Sequence, residues 1–283
     1  MRMVSPKVTQ RIAWSLTWAS AGVVVLALGV IVGYVVIKGA GAIDWEFLST
    51  SPKGGLSGEG GVLSAIVGTV YIVVLTVAIA APLGIGAGIY LVEYARENWF
   101  TRLVRSGVEV LAGVPSIIFG LFGFALFVVA LKLRFSILSG ALALACLVLP
   151  TIIRTTEEAL RAVSQSYREA SMACGATRFQ TIRKIVLPAA FPGILTAIIL
   201  AVGRSVEETA VLYVTMGGSA AMPRSFLSGG RTLALHTYFL AMETRAMGKA
   251  LGTALLLIVL IMLINGLIRF VSRRYMARMY GRR

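Results

Sequence analysis

The sequence predicts an all-α integral membrane protein with six transmembrane helices and both termini cytoplasmic. Three observations lead there. Of 283 residues, 58% are hydrophobic and only 14% charged, too apolar a composition for a water-soluble domain of this length. The apolar residues gather into runs near 13–37, 62–92, 107–131, 137–160, 189–212 and 250–271, each long enough for the roughly 20 residues a bilayer core demands. The connecting segments differ in positive charge. With the N-terminus inside, the cytoplasmic pieces hold 16 of the 27 Lys and Arg residues and the outer pieces 8, while Arg154, Arg204 and Arg269 lie in spans. Basic residues are retained on the cytoplasmic side, so 1–12, 93–106, 161–188 and 272–283 are expected inside.

The layout follows in order: a cytoplasmic N-terminus (1–12), a first span (13–37), an outer loop (38–61), a core holding spans two to six (62–271) and a basic cytoplasmic tail (272–283). Arg2, Lys7 and Arg11 before the first apolar run resemble a signal peptide. The run is span-length without a clear cleavage site, which favours a retained helix. The outer loop is rich in Gly and Ser and opens with Asp44-Trp45-Glu46-Phe47, fitting an interfacial helix followed by a loop. Span two exceeds the length it needs and contains Pro82, Gly84, Gly86 and Gly88, features of a helix that tilts, kinks or continues past the membrane. Gly29 with Gly33, and Gly84 with Gly88, have the spacing that lets membrane helices approach closely. Glycine is common in such helices, so the spacing alone specifies no dimer face. The outer segment 213–249, with Gly217-Gly218, Pro223, Gly229-Gly230 and the apolar stretch Leu233 to Met242, fits short helices lying against a partner or the membrane surface.

Several chemistries are excluded. His236 and the separated Cys146 and Cys174 have no metal-ligand spacing and furnish no disulfide framework. No G-x4-G-K-[ST] phosphate loop occurs; Gly248-Lys249 is followed by Ala250. The chain therefore hydrolyses no ATP itself. The net charge of +15 is split among membrane-flanking loops, a pattern that points to anionic lipid and away from nucleic acid, which would need one basic stripe with interleaved aromatics.

Two clusters carry the function. The first is Glu169-Ala170-Ser171, Gly175 and Ile185-Val186-Leu187-Pro188. Spacing predicts a helix from about Leu160 to Cys174, a left-handed stop at Gly175, and a second short helix from Phe179 to Val186 ending before Pro188. An amphipathic hairpin with Leu160, Val163, Tyr167, Ala170 and Cys174 on one face exists on any reading. The joint spacing of Glu, Gly and Leu-Pro resembles the EAA motif of ABC importer permeases, whose cytoplasmic helices dock into a groove on an ATPase subunit. That resemblance implies that Glu169, Ala170, Ser171, Gly175, Leu187 and Pro188 couple the chain to an ATPase. Ser171 stands where the motif has alanine.

The second cluster is intramembrane charge. Arg154 is followed by Glu157 and Glu158, and Arg204 by Glu207 and Glu208, spacings of three and four that make helical neighbours. A guanidinium inside an apolar span costs about 2.5–3.5 kcal/mol unless it is paired or lines water. On one reading the pairs neutralise each other, or Arg154 reaches the interface. On the other, the arginines line a water-filled pathway and offer planar donors to an oxyanion, the glutamates holding them in place. Arg204 favours the second, because it sits mid-span within Leu200 to Thr209.

The segments Pro82 to Tyr90, Leu111-Ala-Gly-Val-Pro-Ser-Ile-Ile-Phe-Gly-Leu-Phe-Gly123 and Leu149-Pro-Thr-Ile-Ile-Arg-Thr-Thr-Glu-Glu-Ala-Leu160 resemble the phosphate-specific branch of these permeases. The likeness covers spans two to five and implies a type I ABC importer permease fold in a prokaryotic cytoplasmic membrane. It implies phosphate passage along Arg154 and Arg204, with Glu158, Glu207 and Glu208 beside them. It also implies a second permease subunit, an ATPase dimer that alone binds ATP and Mg, and an extracytoplasmic phosphate-binding protein. Glu207 replaces a glycine of that branch. The rivals are the same architecture carrying phosphonate, sulfate or molybdate, and an integral-membrane enzyme acting on a lipid phosphate. The enzyme reading lacks a nucleophile, base and orienting group at any recognisable spacing.

Overall fold

A computed structural model describes residues 6–53, 58–244, 246–279 and 281. Arg2 of the basic N-terminus, Arg245 of the outer segment, and Arg282 and Arg283 of the tail lie outside the described residues. Among those described, every regular element is helical. Five helices are long and apolar enough to cross a membrane, and six when one bent pair is taken as a single span.

Helix α1 (Pro6–Ala40) is followed by the short α2 (Trp45–Ser49), which begins where the Asp44 side chain accepts from the Phe47 backbone N–H. This is N-capping, which satisfies an otherwise orphaned donor. Helix α3 (Leu63–Ile89) carries Pro82 in its interior and ends in a π-helical turn, Tyr90–Tyr94. The third expected span, 107–131, is not straight. Helix α4 (Trp99–Ala112) and helix α5 (Ser116–Gly123), the latter prolonged by a π-helical stretch Phe124–Ala130, meet at 103°. Pro115, at ψ 139, has no N–H to give and disfavours helical geometry at Val114, so the chain breaks across 113–115.

Helix α6 (Ile137–Arg161) precedes the hairpin of α7 (Gln165–Ala173) and α8 (Arg178–Thr181). Two expectations need correction here. The helix placed from Leu160 to Cys174 is divided, since α6 ends at Arg161 and α7 restarts at Gln165. The stop placed before Pro188 is absent: a π-helical turn (Ile182–Val186) runs directly into α9 (Leu187–Glu207), with Pro188 in its first turn. Proline is tolerated at a helix start, where its missing N–H would have no conventional partner. After α9 the chain extends at Glu208 and then forms α10 (Ala210–Met216), α11 (Leu233–Met242) and α12 (Met247–Met279).

Helices α3, α6 and α9 make the centre. Ile72, Leu144, Leu212, Met216 and Leu235 form one fully buried cluster, and Leu160, Val186, Ala190 and Ile194 another. Between them lies a layer of small residues, Ala80, Ala145, Ala197 and Ala201 with Val148 and Ile152. Small side chains let membrane helices approach until their backbones nearly touch. Gly84 and Gly88 use that spacing inside the chain: an added Cβ would lie 2.7 Å from the Ile152 side chain and 2.8 Å from that of Thr156. Gly29 and Gly33 face nothing within 4 Å. Gly84→Leu should therefore lower the thermal midpoint of the detergent-purified chain, overpacking costing about 1–3 kcal/mol. Gly29→Leu should leave it unmoved in the same melt.

The outer segment is held by Arg231. Its Nε donates to the Gly218 carbonyl at 2.9 Å, its Nη1 lies 3.2 Å from His236 Nδ1, and its guanidinium sits 4.2 Å from the Phe239 ring centre. Arginine can only donate, so His236 Nδ1 accepts and the imidazole is neutral. Burial, with smaller contributions from Arg231 and Lys249, pushes the His236 pKa down to about 4. A depressed base binds fewer protons folded than unfolded, so its stabilisation is complete above the unfolded pKa near 6.5 and is lost as pH falls towards 4. Thermal midpoints measured from pH 7 to pH 4 should fall, and His236→Gln should flatten that fall.

Candidate functional site

Arg204 lies in the last turn of α9, three residues before its final residue, Glu207. The mid-span position expected from the sequence is thus corrected, because the apolar run 189–212 is broken at Glu208-Thr209 and divided between α9 and α10. A cation at a helix C-terminus meets the favourable end of the helix dipole. Its Nη1 donates to Glu207 at 3.1 Å and its Nη2 is 3.4 Å from Glu208 Oε2. Glu208 is 4% exposed and its other oxygen accepts from the Val211 backbone N–H at 3.3 Å, capping α10. The two terminal nitrogens of the guanidinium are each held by a carboxylate. The side chain is still 45% exposed, open to an approaching anion.

Arg154, on α6, donates to Glu158 at 3.2 Å, and both side chains are more than half exposed. Such a pair is worth about 0.2–1 kcal/mol and is easily exchanged. Glu157 does not join it, although the spacing suggests that it would. It turns towards Arg105 of α4, 3.4 Å away, and Arg161, 3.5 Å away, and is 12% exposed. Arg105, Glu109, Arg154, Glu157, Glu158 and Arg161 line one cleft of about 340 Å³ between α4 and α6. Arg204 is not among its lining residues, so the two arginines occupy separate clusters.

The hairpin residues are on the surface. Glu169, Ala170 and Gly175 are exposed and Ser171 half-buried. Gly175 has φ +85, the left-handed region glycine adopts freely. The Thr177 hydroxyl and the Gln180 side chain reciprocally cap α8, which fixes the start of that short helix. The Ser171 hydroxyl lies 2.9 Å from that of Thr181, tying α7 to the end of α8. Leu187 and Pro188 are half-buried at the start of α9. The predicted apolar face divides: Leu160 and Val163 are buried, whereas Tyr167, Ala170 and Cys174 are exposed. No apolar side chain of α7 is buried within the chain, and Tyr167, Met172 and Phe179 on the hairpin are exposed.

Sequence spacing gave no sign of the ion pairs that fasten this hairpin. Arg168 of α7 meets Glu93 of the π-helical turn after α3 at 2.7 Å, both side chains largely buried. Those residues are separated by 75 positions, beyond any local periodicity. Its one visible trace is the arginine directly before Glu169, which a helix wheel alone places on no defined partner.

The chain belongs to the family of binding-protein-dependent transport system inner membrane components, which it matches over residues 80–277. Within that family it is similar to the phosphate transport system permease protein PstA of Mycobacterium leprae, 33% identical with 96% of this chain and 92% of that protein covered. PstA 1 of Mycobacterium tuberculosis is 38% identical, covering 76% of this chain and 72% of the relative. A probable ABC transporter permease of Bacillus subtilis, YqgI, is 35% identical over 75% of this chain and 71% of its own length. Among solved structures, a bacterial alginate ABC transporter superposes with TM-score 0.63 at 14% identity, covering 95% of this chain and 94% of that one. The MetNI methionine ABC transporter in an inward-facing form gives 0.55 at 24% identity over 78% and 95%. These similarities establish the all-helical type I importer permease fold.

Proposed function

We propose that this chain is a membrane-spanning subunit of an ATP-driven importer that carries inorganic phosphate into a prokaryotic cytoplasm, with both termini on the cytoplasmic side. The observation that carries the substrate is the Arg204 cluster, a half-exposed guanidinium set between two carboxylates at the junction of α9 and α10, in a chain whose relatives include phosphate permeases. The excess of Lys and Arg on four of the connecting segments supports the orientation.

Phosphate meets Arg204 and Arg154 as planar, charge-assisted donors. Glu207, Glu208 and Glu158 compete for the same guanidiniums, so the anion is held briefly, as passage through a pathway requires. The exposed hairpin around Glu169 and Gly175 docks on a partner ATPase dimer, which holds the ATP and Mg. A second permease subunit completes the pathway and an extracytoplasmic phosphate-binding protein delivers the cargo. Lys7, Arg11 and Trp14, adjacent on α1, suit the headgroups of anionic lipid. ATP binding and hydrolysis move the hairpin and alternate access across the membrane.

The test is uptake of radiolabelled phosphate by proteoliposomes holding the complete transporter, with unlabelled competitors in excess. Phosphate should suppress the signal while phosphonate, sulfate and molybdate leave it nearly intact. Suppression by sulfate or molybdate as strong as by phosphate would reassign the cargo to another oxyanion.

A further inference from the structure

Two polar contacts converge on the π-helical turn Tyr90–Tyr94 from different elements. From the hairpin side, Arg168 donates to Glu93 Oε1 through Nη2 at 2.7 Å and Nε at 3.2 Å. The same guanidinium donates to the Leu160 carbonyl at 2.9 Å and the Val163 carbonyl at 2.7 Å, at the C-terminal end of α6. From the α4 side, Arg105 Nη2 donates to the Leu91 carbonyl at 3.0 Å. Arg105 also pairs with Glu97, and its Nε stands 3.4 Å from Glu157 on α6, the residue before the Glu158 that holds Arg154.

The local backbone explains why the contacts meet there. The last backbone bond of the turn runs from the Ala95 N–H to the Tyr90 carbonyl. The Leu91 carbonyl therefore lies past the final helical donor, and Arg105 supplies one. At the end of α6 the Leu160 carbonyl already accepts from the Val163 N–H at 3.3 Å, and Arg168 adds a charged donor to it and to the Val163 carbonyl, where the helix dipole favours a cation. The Arg168 and Glu93 side chains are 12% and 6% exposed, so water does not compete strongly for their charges. Arg178 of α8 adds a second contact with this region, 5.4 Å from the Tyr94 ring centre.

We propose that Glu93 and Arg168 form the joint through which movement of the α7–α8 hairpin reaches the helices of the pathway, with Arg105 and Glu157 as its continuation to α4 and α6. This rests on the reading of that hairpin as the ATPase-docking element. Without the joint, the links 162–164 and 174–177 would absorb a push on the hairpin. With it, the inner ends of α3, α4 and α6 move with the hairpin, and Arg154 moves with α6. Glu93, Arg168, Arg105 and Glu157 are positioning residues, since they act through the helices they fasten.

The experiment uses the complete transporter in proteoliposomes and measures phosphate moved per ATP hydrolysed. Glu93→Gln and Arg168→Gln should each lower that ratio about tenfold, within the usual range of coupling between sites, while ATP hydrolysis continues. Arg168→Lys, which keeps the charge, should recover much of the loss. A readout independent of cargo uses spin labels at positions 96 and 166 in a Cys146→Ser, Cys174→Ser background. Their separation should stay single and narrow through the ATP cycle in the otherwise native chain and should broaden or shift in Glu93→Gln. An unchanged ratio with an unchanged label distance overturns the joint. So does a parallel loss of hydrolysis and uptake, which assigns the pair to folding alone. Gly175→Glu separates the underlying reading: if that variant still docks and couples normally, the hairpin is not the docking element, whereas the label distance still reports on the joint itself.

Discussion

Gly175→Glu is expected to reduce uptake by about a hundredfold while the permease remains in the membrane at near-native abundance, a loss equivalent to ~2.7 kcal/mol. The separation of those two readouts follows from magnitudes. Gly175 stands at φ +85, and a Cβ built there would meet nothing within 4 Å. A substitution thus carries only the backbone cost of a left-handed residue, about 1–2 kcal/mol, against a total folding stability of order 5–15 kcal/mol. Folding survives that cost. What does not survive is the surface, because the open space around the turn is where a partner would sit, and a carboxylate would project into it. Gly175→Asn tests this division, since asparagine accepts the left-handed conformation and adds no charge. It should keep most of the uptake. Undiminished uptake by Gly175→Glu would remove the hairpin from the transport mechanism.

The contrast between Gly175 and Arg168 shows what the linear sequence can carry. A left-handed stop after a helix is a local requirement, and glycine at that spacing states it directly. The hydrophobic runs are equally local, which is why a helical membrane protein was legible from composition and periodicity. The break at 113–115 was written in the sequence too, as Gly113-Val114-Pro115, but within an apolar run long enough to span a bilayer the run outweighed the proline. The end of α9 at Glu207 was concealed in the same way by the apolar residues that follow it in α10. Glu157 marks the other limit. At spacing three from Arg154 it looked like a local partner, and in the fold it turns to Arg105 of α4, a choice made by tertiary packing.

Helix spacing did find the pairing of Arg204, and the fold adds an asymmetry between its two carboxylates that makes the pathway reading testable. Glu207 is 58% exposed on its side chain, whereas that of Glu208 is 5% exposed and also caps α10. Arg204→Gln leaves Glu208 buried with one backbone donor in place of a cation. Removing one partner of a buried pair costs up to about 3–5 kcal/mol, and the exposure of Arg204 places this case at the lower end of that scale or beneath it. Membrane abundance should therefore fall modestly. Phosphate uptake should fall further, by about 30-fold or more, because a charge-assisted donor to the anion, worth about 2 kcal/mol or more, is lost as well. The double variant Arg204→Gln, Glu208→Gln separates the two effects, since neutralising both partners removes the unpaired carboxylate and should return abundance to near the native level. Uptake should stay low, because the anion still lacks its guanidinium. If abundance and uptake instead fall together in the single variant and recover together in the double one, Arg204 serves only to hold α9 against α10, and phosphate must be met elsewhere.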